Sequence, residues 1–273
     1  MSSICFNGHT LPAVQALFTA GNRPLRFGDG VFETMKVYKG SIRLESHHWE
    51  RLFSSLAVLK INIPPAFSVA LIRQQLLALC NVNNCIDHGR VRLSVYRGID
   101  NEPLQYLIEC WPLDNSFNEL NGTGYTIDVF PGGRKCADAF SALKTNNFIA
   151  YVMAIDYANE NKLDDCLLLN QFDRIADSTI ATVFVIKDQT IKTPSIEEGC
   201  INGVMRRHLI QSMRESGYTV EETGIAVDEL EVADEVFLTN AIRGIRWVKQ
   251  FRDRIYTNQL TTEIYSRFIQ TLI

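Results

Sequence analysis

Lys144 stands in Ser141-Ala142-Leu143-Lys144-Thr145-Asn146-Asn147, after an apolar pair and before residues that favour helix caps. An amine at such a junction, partly shielded from water, can lose enough basicity for nucleophilic work. Taken alone, a surface lysine at a loop end is the commoner case. A second segment, Gly199-Cys200-Ile201-Asn202-Gly203-Val204-Met205-Arg206, follows Thr193-Pro194. Gly203 permits close backbone approach, and the N–H groups that open a helix suit a phosphate monoester; a plain loop-to-helix junction reads the same way. Arg51 falls on the polar side of a helix built on Trp49, Leu52 and Phe53. It is either a second phosphate ligand or a solvated arginine. Asp177, in Ile175-Ala176-Asp177-Ser178-Thr179-Ile180, is either a turn-former or a buried carboxylate that needs a cation.

The elements that must position these residues are legible in outline. Val31–Tyr38 reads as a strand, and Lys39-Gly40 as a tight turn into Ser41–Leu44. Ser46 is placed to cap a helix whose apolar face is Trp49, Leu52, Phe53 and Leu56. Val69, Ile72, Leu76 and Leu79 predict a second amphipathic helix. Val91, Leu93 and Val95 alternate with Arg90, Arg92, Ser94 and Tyr96, as in a strand buried on one face, and a strand at Gln105–Cys110 pairs with it. Pro112–Gly124 is polar and rich in turn-formers. Beyond it come a helix over 147–161, a strand at Cys166–Leu169, two strands around Asp188-Gln189, a helix from about Gly203, a strand at Phe237-Leu238-Thr239 and a C-terminal helix on Leu260, Ile264 and Phe268. This predicts two α+β domains, 1–113 and 125–273, joined by a linker at 114–124, with a cleft where they meet.

Composition narrows the function. The chain has 273 residues, 46% of them hydrophobic and 21% charged, with net charge −4 and pI near 5.8. That is enough apolar material for a buried core, and it lacks the basic field that nucleic acid requires. No apolar run reaches the roughly 20 residues of a membrane span, and MSSICFNGHT has neither the basic nor the apolar region of a secretory leader. Seven cysteines, none in a C-x-x-C pair, read as reduced thiols of a cytoplasmic protein, with no metal site expected. The expected partner is a small molecule.

In order along the chain, the segments resemble the class IV aminotransferases, the fold-type IV enzymes that use pyridoxal 5′-phosphate. The resemblance covers Arg26–Thr34, His48–Leu52, Leu143–Asn146, Asp177–Phe184, Thr193-Pro194 and Asn202–Arg206. It implies a two-domain α+β fold like that of D-amino acid aminotransferase, with the cofactor in the interdomain cleft and a homodimeric assembly. It further implies that Lys144 is the Schiff-base lysine and that Arg51 holds the cofactor phosphate with Gly203 and the amides of Val204 and Met205. Asp177 would pair with the pyridine nitrogen, and Asn240 and Ala241 would border the cofactor. A carboxylate at that nitrogen keeps it protonated as an electron sink. Three positions depart from the family pattern: Asp177 stands where Glu is usual, shorter by about 1.5 Å; Thr182 replaces Asn; and Ala241 replaces a hydroxyl residue that often helps bind phosphate.

Among family members, the D-amino acid enzymes carry an Arg-x-His carboxylate clamp after a strand ending Arg-Gly. Here Arg97-Gly98 is followed by Ile99-Asp100-Asn101-Glu102-Pro103, without Arg or His. Branched-chain enzymes open the strand differently from Gly28-Asp29-Gly30. Asn202–Arg206 and Asn240-Ala241 resemble 4-amino-4-deoxychorismate lyase, although that enzyme has a Thr-Thr type pair where this chain has Glu33-Thr34 and an arginine in the Arg-Gly loop that is missing here. The leading expectation is therefore a lyase that releases 4-aminobenzoate and pyruvate, with Arg26, Glu33 and Arg243 at the carboxylate substrate. A branched-chain or D-amino acid type aminotransferase is the alternative. A catalytically silent member that binds a phosphate ligand is the third reading.

Overall fold

Residues 30–38 alternate Val, Glu, Met and Val against Phe, Thr, Lys and Tyr, a period of two that favours a strand. In the computed structural model, which describes residues 3–99 and 103–272, they form the third strand of a six-stranded antiparallel sheet. By Cα proximity the chain divides into two units. The first holds residues 1–116 and 143–147, the second 117–142 and 148–273. The short Lys144 segment thus clusters with the first unit although the chain on both sides of it belongs to the second.

The first unit contains β1 (Ser3–Phe6), β2 (His9–Pro12), α1 (Arg23–Phe27), β3 (Gly30–Tyr38), β4 (Ser41–Ile42), α2 (Glu45–Val58), α3 (Val69–Val82), β5 (His88–Tyr96) and β6 (Gln105–Pro112). Its strand order is β2-β1-β6-β5-β3-β4. Val31, Met35 and Val37 of β3 and Val91, Leu93 and Val95 of β5 share a core with Trp49, Leu52 and Leu56 of α2 and Ile72, Leu76 and Leu79 of α3. Ser46 does not cap α2. The helix starts at Glu45, two residues earlier than a Ser46 cap predicts, after Leu44 turns the chain in the left-handed region at φ 53° without a capping side chain.

The second unit contains β7 (Tyr125–Lys135), α4 (Ile149–Glu160), β8 (Asp165–Asn170), β9 (Ile175–Ser178), β10 (Thr182–Lys187), β11 (Thr190–Pro194), α5 (Val204–Glu215), β12 (Val220–Thr223), α6 (Glu229–Val232), β13 (Glu235–Asn240), β14 (Gly244–Phe251), β15 (Arg254–Ile255) and α7 (Gln259–Ile264). Among the described residues its sheet runs β12-β11-β10-β13-β14-β7-β8-β9, with β15 beside β14. The long strand β7 is absent from the sequence-based reading. Pro131-Gly132-Gly133 sits inside it, and its register with β8 shifts between Val129 and Arg134. The expected C-terminal helix passes into a π-helical turn over Tyr265–Ile269. No helix among the described residues is long and apolar enough to cross a membrane.

Candidate active site

The chemistry-bearing residues fall in both units. In the first, the Lys144 segment lies along the start of β3. The Phe32 amide donates to the Lys144 carbonyl, the Asn146 amide donates to the Gly30 carbonyl, and Val31 bridges Thr145 in antiparallel register. Gly30 allows this approach. A Cβ there would stand 2.7 Å from Asn146 Nδ2 and 2.8 Å from the Val95 carbonyl oxygen, so any larger residue would push the lysine segment away. The Lys144 ammonium then sits 4.5 Å from the centre of the Phe32 ring, close enough for a cation–π contact. Arg92 covers the same ring at 3.7 Å.

Alternation sends Glu33 to the other face of β3 from Phe32, toward α2. Glu33 is 1% exposed, and both of its oxygens are engaged. Arg51 donates Nε to Oε1 at 2.8 Å and Nη2 to Oε2 at 2.6 Å, and His48 Nδ1 lies 2.6 Å from Oε2. Burial alone would raise the Glu33 carboxyl, yet the Arg51 guanidinium and His48 bring it down to about 2. Burial pushes His48 below its ordinary value against the pull of Glu33, and the charges of Arg51 and Lys144 add to the depression. A neutral imidazole facing an acceptor-only carboxylate carries its proton on Nδ1. Arg51, expected on a polar helix face, is therefore buried, because β3 supplies its counter-charge. His48 is the member of this cluster to which sequence reasoning gave no role. The signal was present, since His48 and Arg51 are spaced i, i+3 and share a helix face. Arg26, in α1, is exposed.

In the second unit, Asp177 lies on the edge strand β9 and is 2% exposed. Its Oδ2 accepts from Lys135 Nζ at 2.8 Å, the Tyr151 hydroxyl at 2.9 Å and the Ile201 amide at 3.0 Å. Oδ1 accepts no hydrogen bond among the described residues. Burial raises the Tyr151 hydroxyl well above its usual value, and the Asp177 charge adds to the effect. The same two causes push the Cys200 thiol up to about 12. Lys135 and Tyr151 were not anticipated. They arrive from β7 and α4, far from Asp177 in the chain, and nothing local marks them.

The Ile201 bond brings Asp177 close to the start of α5. Gly203 is the N-cap of that helix and supplies no capping side chain, so the first-turn amides of Val204 and Met205 keep their donor capacity. Asn240, Ala241 and Arg243 shape the turn between β13 and β14. The Asn240 side-chain oxygen accepts from the Ile242 and Arg243 amides at 3.0 and 2.8 Å. Arg243 bonds the Tyr125 hydroxyl and lines a cavity with Asp165, Thr179, Ala181, Asn240 and Arg246. The chain thus offers one amine beside an aromatic face, one buried carboxylate with an oxygen to spare, a clamped arginine and a bare helix N-terminus.

Comparison with known proteins gives this set a context. The chain is 28% identical to the D-alanine aminotransferase of Bacillus licheniformis over 87% of its length and 84% of the relative's. It is 26% identical to the aminodeoxychorismate lyase of Bacillus subtilis, covering 89% of this chain and 84% of that one. Its fold matches the pyridoxal-phosphate-bound form of a hypothetical aminotransferase from Mycobacterium tuberculosis with TM-score 0.85 at 18% identity, over 99% and 98% of the two chains. Residues 30–251 match the model of the amino-transferase class IV family. The chain belongs to that family of pyridoxal-phosphate-dependent enzymes.

Proposed function

We propose that the enzyme is a lyase that converts 4-amino-4-deoxychorismate to 4-aminobenzoate and pyruvate. The observation that carries this reading is the state of Arg97. Its guanidinium bonds Asp29 at 3.1 Å and the carbonyl oxygens of Lys60 and Leu59 at 3.0 and 2.7 Å. Held that way, Arg97 serves the fold, and no Arg or His follows it through Pro103. Asp100, Asn101 and Glu102 lie outside the described residues. A transaminase receives two substrates in turn and needs a carboxylate clamp that both share, whereas a lyase needs no second substrate.

The residues present fit pyridoxal phosphate. The bare first turn of α5 and the Arg51 guanidinium suit its phosphate, and the spare oxygen of Asp177 suits its ring nitrogen. When bound, the cofactor supplies an electron sink for the carbon that carries the substrate amine. Lys144 Nζ would hold the cofactor until the substrate amine displaces it; the freed amine would take the proton from that carbon and give it to the departing enolpyruvyl oxygen. Phe32 keeps water from one side of the amine. Glu33 acts through Arg51, holding the guanidinium plane in place. Asp177 keeps a proton at the ring nitrogen, while Lys135 and Tyr151 hold the carboxylate in register. Gly203, Val204, Met205, Asn240 and Ala241 border the phosphate side, and Arg243 and Arg26 are the cations proposed for the substrate carboxylates.

We further infer a cytoplasmic homodimer. Exposed Ile149, Val152 and Met153 recur on one face of α4, an apolar stripe that a second copy would cover. The decisive assay supplies 4-amino-4-deoxychorismate with no 2-oxo acid and follows pyruvate and 4-aminobenzoate together. Equimolar release of both supports the lyase. Amino transfer to 2-oxoglutarate with no pyruvate released makes the enzyme an aminotransferase.

A further inference from the structure

Three thiols that the sequence scatters over the first unit converge in its core. Cys80 lies in the last turn of α3, Cys85 follows the turn that ends that helix, and Cys110 lies on β6. They are 0%, 1% and 0% exposed, and their sulfur atoms all lie within 4.8 Å of one another. Three contacts fix the arrangement. The Cys85 amide donates to the Cys80 carbonyl at 2.9 Å. Asn83 donates Nδ2 to Cys110 Sγ at 3.2 Å and to the Ser3 carbonyl at 2.8 Å. Gly89 of β5 lets the Cys85 loop close down, since a Cβ there would stand 2.3 Å from the Cys85 carbonyl oxygen.

We propose that Cys80, Cys85 and Cys110 form a three-sulfur site for a soft monovalent cation of the copper(I) class. Sulfur ligands at about 2.3 Å from a shared ion stand roughly 4 Å apart in a trigonal plane, so closing around one ion requires movements below about 1 Å. Thiolates select soft ions. Zinc is almost always held by four ligands in closed structural sites, and the cluster offers three among the described residues. Copper(I) accepts three-coordinate sulfur.

The Asn83 amide donates to Cys110 Sγ, which orients that sulfur toward its two neighbours. Binding is ligand exchange: three copper–sulfur bonds form, the S–H bonds of Cys80, Cys85 and Cys110 break, their protons leave to solvent, and no oxidation state changes. Because the sulfurs are closed to solvent, the ion enters as the chain folds.

The test uses the full-length holoenzyme with Cys136→Ser, which removes an exposed thiol that could hold copper adventitiously. The protein is produced in cells supplied with copper or with zinc, purified without oxygen, and dialysed against a copper(I) chelator. Metal per chain is then measured by mass spectrometry. The expected result is one copper per chain after dialysis, a higher melting temperature than the metal-free chain, and X-ray absorption showing sulfur ligands only. Cys110→Ala should lose the copper. Where that variant does not fold, the ligand shell of the parent chain decides. Loss of copper to the chelator, equal loading of a folded Cys110→Ala chain, oxygen or nitrogen ligands, a disulfide within the cluster, or zinc retained in place of copper would each overturn the proposal.

Discussion

Glu33 and Asp177 are both buried carboxylates paired with a cation, yet they are wired differently. Glu33 spends both oxygens on Arg51 and His48, a bidentate fork plus one ring N–H. Asp177 places Lys135, Tyr151 and the Ile201 amide on Oδ2 alone. The first arrangement fixes a guanidinium. The second fixes a carboxylate and leaves Oδ1 without a hydrogen bond among the described residues. Burial and charge alone do not distinguish the two acids; the distribution of partners over their oxygens does, and the proposed roles rest on that difference.

The sharpest break in this comparison lies outside both acids, at Lys144. If Lys144 carries the chemistry that Asp177 supports, Lys144→Ala should abolish turnover and the absorbance of the lysine-bound cofactor. Its circular dichroism should remain that of the parent. A variant that keeps full activity would remove Lys144 from the mechanism.

Asp177→Asn comes next. The carboxamide can accept the same hydrogen bonds but carries no charge, so under the proposed role the ring nitrogen loses its protonating partner. A rate loss of about 10²–10⁴ is expected, the scale of a lost acid–base or electrostatic contribution. Asp177→Glu restores the charge and should be tolerated far better. Equal rates for the Asn and Glu variants would show that charge is not what matters there.

How much of this was legible in the sequence follows from the range of the signals. The strand β3 and both apolar helix faces could be read because their periods are local. The roles proposed for Lys144, Arg51, Asp177 and Gly203 come from the motif segments through resemblance, not from local periodicity. Lys135 was hidden because Pro131-Gly132-Gly133 breaks the alternation that marks a strand, and the register of β7 with β8 shifts there. The burial of Arg51 could not be read from α2 alone, because its partner sits on β3. The start of α2 was misplaced because Leu44 adopts a left-handed conformation that sequence patterns assign to Gly or Asn. Cys80, Cys85 and Cys110 have no metal-ligand spacing in sequence; only the packing of α3 on β6 unites them.

Glu33→Gln should act on stability where Asp177→Asn acts on rate. Removing the charge leaves Arg51 buried without its counter-ion, a loss of roughly 3–5 kcal/mol for a broken buried pair. The pH dependence has a definite sign. The Glu33 carboxyl is held at about 2 against an ordinary 4.5, so its contribution is present above pH 4.5 and is lost as pH falls toward 2. His48 is depressed from 6.5. The unfolded chain therefore takes up a proton below 6.5 that the folded chain refuses, and stability starts to fall there. Denaturant midpoints measured from pH 7 to pH 2 should decline in those two stages. In Glu33→Gln the lower stage should be missing; an unchanged lower stage would mean that other acids carry it.

The smallest effects should separate Arg26 and Arg243, the two arginines proposed for the substrate carboxylates. Arg243 lines a cavity and is held in place by the Tyr125 hydroxyl, so its guanidinium is already oriented before a ligand arrives. Arg26 is exposed on the five-residue helix α1, and its guanidinium rests over the Phe27 ring. Ordering an exposed arginine costs side-chain entropy that offsets most of a surface ion pair. Arg243→Ala should therefore raise KM by about 10-fold or more, in line with the roughly 1.5–3 kcal/mol of a lost charge-assisted hydrogen bond, with kcat little changed. Arg26→Ala should raise KM by less than about 5-fold, within the range of an exposed pair. The KM–kcat split is the useful reading. A fall in kcat for Arg243→Ala would place that cation at the reacting carbon, and a larger KM effect for Arg26→Ala would reverse the assignment of the two.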